Sequence, residues 1–154
     1  MARIAQKLSP DKSQIYNNLG ICYMSLKDYD ASINMFLTSI KLDENNVLAY
    51  TDLGTVLQIK GEFLKALEAY NKALELEPDS FLNLLNVANL SNILKRYDLA
   101  INAYEKLLKF NPNLKDIENS LIGAYVKNKQ PFAEVYYYDR REVWLELAGQ
   151  HGRC

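Results

Sequence analysis

The single histidine, His151, stands three residues before the C-terminus. Gly149 to Cys154 is expected to fray, so no Ser–His or Cys–His pair can be assembled around it. The chain holds no Gly-rich phosphate loop and no Cys/His spacing suited to a metal. Paired carboxylates such as Asp43-Glu44 fall between helical segments, where they read as helix N-caps or solvated charge. No catalytic residue, metal or cofactor is therefore expected, and the chain is read as a non-enzyme. What does recur is a polar side chain with a fixed interval: Asn18, Asp52 and Asn86 stand 34 residues apart. An amide carries two donors and an acceptor, so it can bond both groups of a peptide main chain. That chemistry is recognition.

The same interval governs the apolar positions. Tyr16, Tyr50 and Leu84 are separated by 34 residues, as are Leu19, Leu53 and Val87. Gly20, Gly54 and Ala88 keep a small residue in step, and Phe36, Tyr70 and Tyr104 keep an aromatic. Tyr29, Phe63 and Tyr97 follow, then Ser32, Ala66 and Ala100. Asp43-Glu44, Glu77-Pro78 and Asn111-Pro112 close the units. Within a unit, Ile15, Tyr16, Leu19, Cys22, Tyr23 and Leu26 recur at three- and four-residue steps, the helical period. A glycine inside a helix costs about 1 kcal/mol against alanine. Its retention points to close approach by the neighbouring helix.

This pattern resembles the tetratricopeptide repeat, over units 13–46, 47–80 and 81–114. The resemblance implies an all-α fold, a right-handed α-α superhelix built as a solenoid of antiparallel helix pairs. It also implies a concave groove lined by the first helix of each pair. At the family's groove positions stand Asn18, Asp52 and Asn86, one per unit. Beside them come Asn17, Thr51 and Leu85, then Ile21, Thr55 and Asn89, then Met24, Gln58 and Asn92. Gln14, Leu48 and Leu82 lie at the near edge. The row is similar to the asparagine ladder in the repeats of O-linked N-acetylglucosamine transferases. Chaperone-binding members use a two-Lys, one-Arg, two-Asn clamp on a C-terminal carboxylate. The matching positions are Asn17, Ile21, Asp52, Leu82 and Asn86, with no cation among them. Binding of acidic chaperone tails in that mode is therefore not expected.

Composition agrees with an interaction module. A 49% hydrophobic and 24% charged chain of 154 residues suits one soluble domain. The net charge of −1 gives no pull toward nucleic acid or an anionic membrane. No apolar run approaches the roughly 18 residues of a membrane span, and residues 1–7 show no signal-peptide core. With two cysteines, Cys22 and Cys154, there is no disulfide framework. Cys22 is expected to be buried filler, and a reducing cytoplasm is the default compartment.

The ends differ from the middle. Ala5, Leu8 and Pro10 carry the spacing of Ala73, Leu76 and Pro78, so residues 1–12 read as the end of a cut repeat or as an N-terminal cap. The first unit, with Ser39 for Ala73 and Glu44 for the proline, reads as looser than the second. In the second, Glu68 and Lys72 are expected to pair at i,i+4. After Leu114 the pattern fades, with Ile122, Glu134 and Arg141 at positions that should be small. Their bulk and charge are expected to prevent a normal helix pair. Residues 115–148 read as a divergent fourth unit or capping helices, with a helix from Phe132 to Ala148, or as sequence of a different origin. The chain is thus read as a scaffold for a protein or peptide. Two alternatives stand beside that reading: the recognition segment of a larger enzyme, and self-association through the end units.

Overall fold

The computed structural model describes residues 9–128. Among them are seven helices: α1 Ser9–Ser25, α2 Tyr29–Leu42, α3 Val47–Ile59, α4 Phe63–Leu76, α5 Phe81–Ile93, α6 Tyr97–Phe110 and α7 Lys115–Lys127. They pack as α1 on α2, α3 on α4 and α5 on α6, and each pair packs on the next, with α7 against α6. The architecture is an all-α helical-repeat solenoid.

Local chemistry sets the helix ends. Asn46 caps α3, its side-chain oxygen accepting from the Ala49 N–H at 3.1 Å. Asp28 caps α2 in the same way, accepting from Ala31 N–H at 3.2 Å. Each turn inside a pair closes with a left-handed residue, at Lys27 (φ 61°), Gly61 (φ 79°) and Lys95 (φ 58°). The N–H that follows then reaches back to a carbonyl of the ending helix. Asp28 donates to Tyr23 O at 2.9 Å, Glu62 to Leu57 O at 2.9 Å and Arg96 to Ser91 O at 2.8 Å. This closure favours glycine, which has no Cβ to clash. Only the middle unit uses it.

The aromatic of each second helix fills the centre of its pair. Phe36, Tyr70 and Tyr104 are 0%, 1% and 1% exposed. Each lies against the small residue of the first helix. A Cβ on Gly20 would sit 2.5 Å from the Phe36 ring, and one on Gly54 would sit 2.6 Å from the Tyr70 ring. The close approach inferred from the sequence is present. The third pair keeps a buried Ala88 at that place.

Four expectations are corrected. Cys22 is exposed. Its counterpart Val56 is fully buried because α2 packs on α3. No described helix covers that face of α1, and Ile15, Leu19 and Leu26 are exposed there too. Lys72 pairs with Glu75 at 2.8 Å instead of with Glu68. Neither Asp43 nor Glu44 caps a helix start, since Asn46 takes that place. Asp43 instead accepts from Asn45 N–H at 3.0 Å, closing the turn. Finally, α1 begins at Ser9 rather than Ser13. Pro10 falls in its first turn, where a missing N–H is harmless.

Ser39 is buried in a polar knot. Its hydroxyl donates to Ser13 O at 2.8 Å, and the Ser13 hydroxyl lies 2.9 Å from both Ser39 O and Ser39 Oγ. Asn46 Nδ2 donates to Ser13 Oγ at 2.9 Å. The serine that replaces alanine is thus bonded throughout. In α7, Leu121, Ala124 and Tyr125 are buried. A helix that would face Ile122 lies outside the described residues. So do the Phe132–Ala148 helix, the tail with His151 and Cys154, and residues 1–8.

Candidate functional site

The first helices α1, α3 and α5 carry the residues expected to line the groove. The structure divides them into two layers. Asn17 and Thr51 are buried between units, at 1% and 6% exposure. Asn17 Nδ2 donates to Asp52 Oδ2 at 3.1 Å, joining the first unit to the second. The Thr51 hydroxyl donates to Asn83 Oδ1 at 3.0 Å, joining the second to the third, and lies equally close to Val47 O. Both belong to the packing more than to an open surface. Asn18, Ile21 and Asn89 are exposed, whereas Asp52, Thr55, Gln58, Leu85, Asn86 and Asn92 are half-buried. Asn18 accepts from Gln14 Nε2 at 3.0 Å on its own helix.

Two groups escaped the sequence reading. The Tyr70 hydroxyl reaches past Gly54 to α3, where it lies 3.1 Å from Gln58 Oε1 and 3.3 Å from Thr55 Oγ1. The Tyr104 hydroxyl likewise donates to Asn89 Oδ1 at 2.8 Å. These tyrosines fill the core with their rings and present oxygens at the first-helix face. The signal was available: the first unit has phenylalanine at this place, Phe36, and the next two have tyrosine. Ser120 was also missed. It stands 34 residues after Asn86 and continues the row onto α7.

Burial sets the electrostatics. Asp52 is pushed above its usual carboxylate value by burial, and the Asn17 bond opposes this. Tyr70 is raised by burial, against the Thr55 bond, and the Asp52 charge adds to the rise. Tyr104 is raised by burial, against Ser120 and Asn92. All three hydroxyls and carboxylates thus sit in a partly dry layer.

A depression of 740 Å³ lies elsewhere, between α2 and α4 over Tyr50, Leu53 and Leu57. None of the expected groove residues lines it. Its charges are paired, with Lys60 bound to Asp30 at 2.7 Å and to Glu62 at 3.3 Å, and Lys65 bound to Glu62 at 2.7 Å. No group of three or more metal-ligating side chains occurs among the described residues. No helix among them is long and apolar enough to cross a membrane.

Helix pairs of this pitch, stacked through an aromatic against a small residue, define a class of helical-repeat proteins. Sequence models described as tetratricopeptide repeat match residues 11–79 and 51–114. The chain belongs to the tetratricopeptide-repeat family. It is 36% identical over 69 residues to the BBSome complex member BBS4 of Bos taurus, covering 45% of this chain and 13% of that protein. The chain thus spans a small part of that relative. Among solved structures, the first such domain of Spaghetti (RPAP3), bound to the HSP90 peptide SRMEEVD, superposes with a TM-score of 0.70 at 19% identity. The match covers 79% of this chain and 96% of that one. MamA AMB-1 superposes with a TM-score of 0.73 at 20% identity, over 82% and 69% of the two chains. At such identities the likeness is one of fold.

Proposed function

We propose that this chain is a non-enzymatic scaffold that binds a protein or peptide segment along its first-helix face. The contacts are assigned to Asn18, Ile21, Asp52, Thr55, Gln58, Leu85, Asn86, Asn89 and Asn92, with Asn17 and Thr51 behind them. One observation carries the reading. The polar groups of that face include a half-buried carboxylate with no ion-pair partner among the described residues, whereas the charges of the 740 Å³ depression pair with one another. A surface that leaves its polar groups open to a ligand is the better docking surface. The peptide-bound fold neighbour supports the same mode. It does not extend to the carboxylate clamp, because no Lys or Arg stands at Asn17, Ile21, Asp52, Leu82 or Asn86. Nothing in the charge balance favours nucleic acid or a membrane as partner.

The test is a pull-down with two baits. One is the native chain; the other carries Asn18→Ala, Asp52→Asn and Asn86→Ala, with its fold checked by circular dichroism. Partners held by the first and lost by the second place binding on this face. Partners held equally by both remove it.

A second reading, self-association, is favoured by the exposed apolar row on α1, where Ile15 is 57% and Leu26 76% exposed. Light scattering that returns a strict monomer at high concentration would eliminate it.

A further inference from the structure

The charges of the first-helix face are of one sign. Its positions in the three units hold one ionisable side chain, Asp52, and the next step of the repeat places Asp116 where Leu48 and Leu82 stand. No lysine or arginine occupies any of these positions.

Asp52 is half-buried and accepts one hydrogen bond, from Asn17 Nδ2 at 3.1 Å. A carboxylate can accept about four. The Asn17 amide has only one workable orientation there. Turned over, it would set its oxygen against the carboxylate, two acceptors face to face. Its own Oδ1 is left buried without a partner, which shows how strongly the carboxylate determines the arrangement. One turn further along α3, Thr55 Oγ1, Gln58 Oε1 and the Tyr70 hydroxyl add three oxygens in mutual contact. The result is a cluster of acceptors around one unpaired negative charge. An ammonium offers three donors from a point, and a guanidinium offers five in a planar fork. The fork suits a carboxylate and the oxygens next to it.

We propose that the segment bound on this face carries an arginine, whose guanidinium pairs with Asp52 and is flanked by Thr55, Gln58 and Tyr70. The proposal rests on the first-helix face being the binding surface. It gives that surface a specificity which amides alone do not supply, since an amide accepts most peptide main chains alike.

The probe is a set of immobilised nonapeptide pools with the central residue fixed, in turn, as each amino acid and the flanks randomised. The full chain is applied, then Asp52→Asn and Asn18→Ala variants shown to be folded by circular dichroism. Native protein is expected to prefer central arginine over alanine by roughly tenfold, as a charge-assisted bond would give, with lysine lower. Asp52→Asn should bring that ratio to within about twofold while weak general binding continues. Asn18→Ala should weaken all pools and leave the ratio unchanged. Added salt should lower the arginine preference. Binding without an arginine preference, or a preference that persists in Asp52→Asn, overturns the arginine assignment alone. Failure of every pool to bind overturns the groove reading together with it.

Discussion

Substituting Gly54 tests the packing logic of the whole array. A Cβ there would lie 2.6 Å from Tyr70 Cε1, 2.7 Å from Cδ1 and 2.9 Å from Cζ. The ring has little room to retreat, since Tyr70 is 1% exposed and its hydroxyl is held by Gln58 and Thr55. Two effects oppose each other in Gly54→Ala. Helix propensity contributes about 1 kcal/mol in favour, and overpacking costs roughly 1–3 kcal/mol. The net is a loss of about 0–2 kcal/mol, softened by the precedent of Ala88 against Tyr104 in the next pair. Gly54→Leu adds three more carbons where the first already overlaps, and should cost at least about 3 kcal/mol. That is a large share of a typical stability of about 5–15 kcal/mol, and should lower Tm by roughly 10 °C or more. Gly123 supplies the control, because a Cβ there meets nothing within 4 Å. Gly123→Ala should raise stability by about 0.5–1 kcal/mol through propensity alone. Thermal melts followed by circular dichroism read all three. The reasoning fails if Gly54→Leu melts with the native chain, or if the alanines at 54 and 123 shift Tm equally.

Three further outcomes are expected. Asn46→Ala removes the cap of α3 and the donor to Ser13, and urea melts should show a loss of about 1–3 kcal/mol; no change would mean that the knot contributes nothing. Lys95→Gly relieves a left-handed backbone at φ 58° and should raise stability by roughly 0.5–1 kcal/mol, less than the full left-handed penalty because glycine also loosens the unfolded chain; a lower Tm would refute this. For Asp52 the folded pKa is raised, with burial as the main cause. Its contribution to stability is therefore complete below the unfolded pKa and is lost as pH rises through the folded one. Asp52→Asn should match the native Tm near pH 3.5 and exceed it at pH 7; an advantage confined to low pH would reverse the assignment.

The period made the fold legible. A helix pair with an aromatic on one helix and glycine on the other admits one tight packing, and Gly20, Gly54, Phe36 and Tyr70 announced it. What the sequence withheld was anything that depends on a neighbour. Cys22 looks like Val56 by register, yet Val56 is buried by the preceding pair and Cys22 has no described helix over it. Asn17 and Asn18 are adjacent amides. Only packing sends the first between units and leaves the second in solvent. Lys72 could reach Glu68 or Glu75, and side-chain rotamers chose the latter. The tyrosine hydroxyls were hidden by their rings, because an aromatic in a repeat's core position is read as volume.

The bonds that cross between units limit how the face can be probed. Ser13 to Asn46, Asn17 to Asp52 and Thr51 to Asn83 span adjacent pairs at similar registers. A repeat array is held mainly by such nearest-neighbour contacts, so removing one group alters both the surface and the joint beneath it. Asp52 shows the consequence. Asp52→Ala would delete the acceptor of a buried Asn17 N–H, a loss worth about 1–3 kcal/mol that has nothing to do with a ligand. Asp52→Asn keeps an oxygen for that N–H and removes only the charge. A binding loss shared by both variants would report the joint or the charge without distinguishing them. A loss of arginine preference in Asp52→Asn, with the melt unimpaired, reports the charge. The amide substitution is therefore the one that separates recognition from assembly at this position.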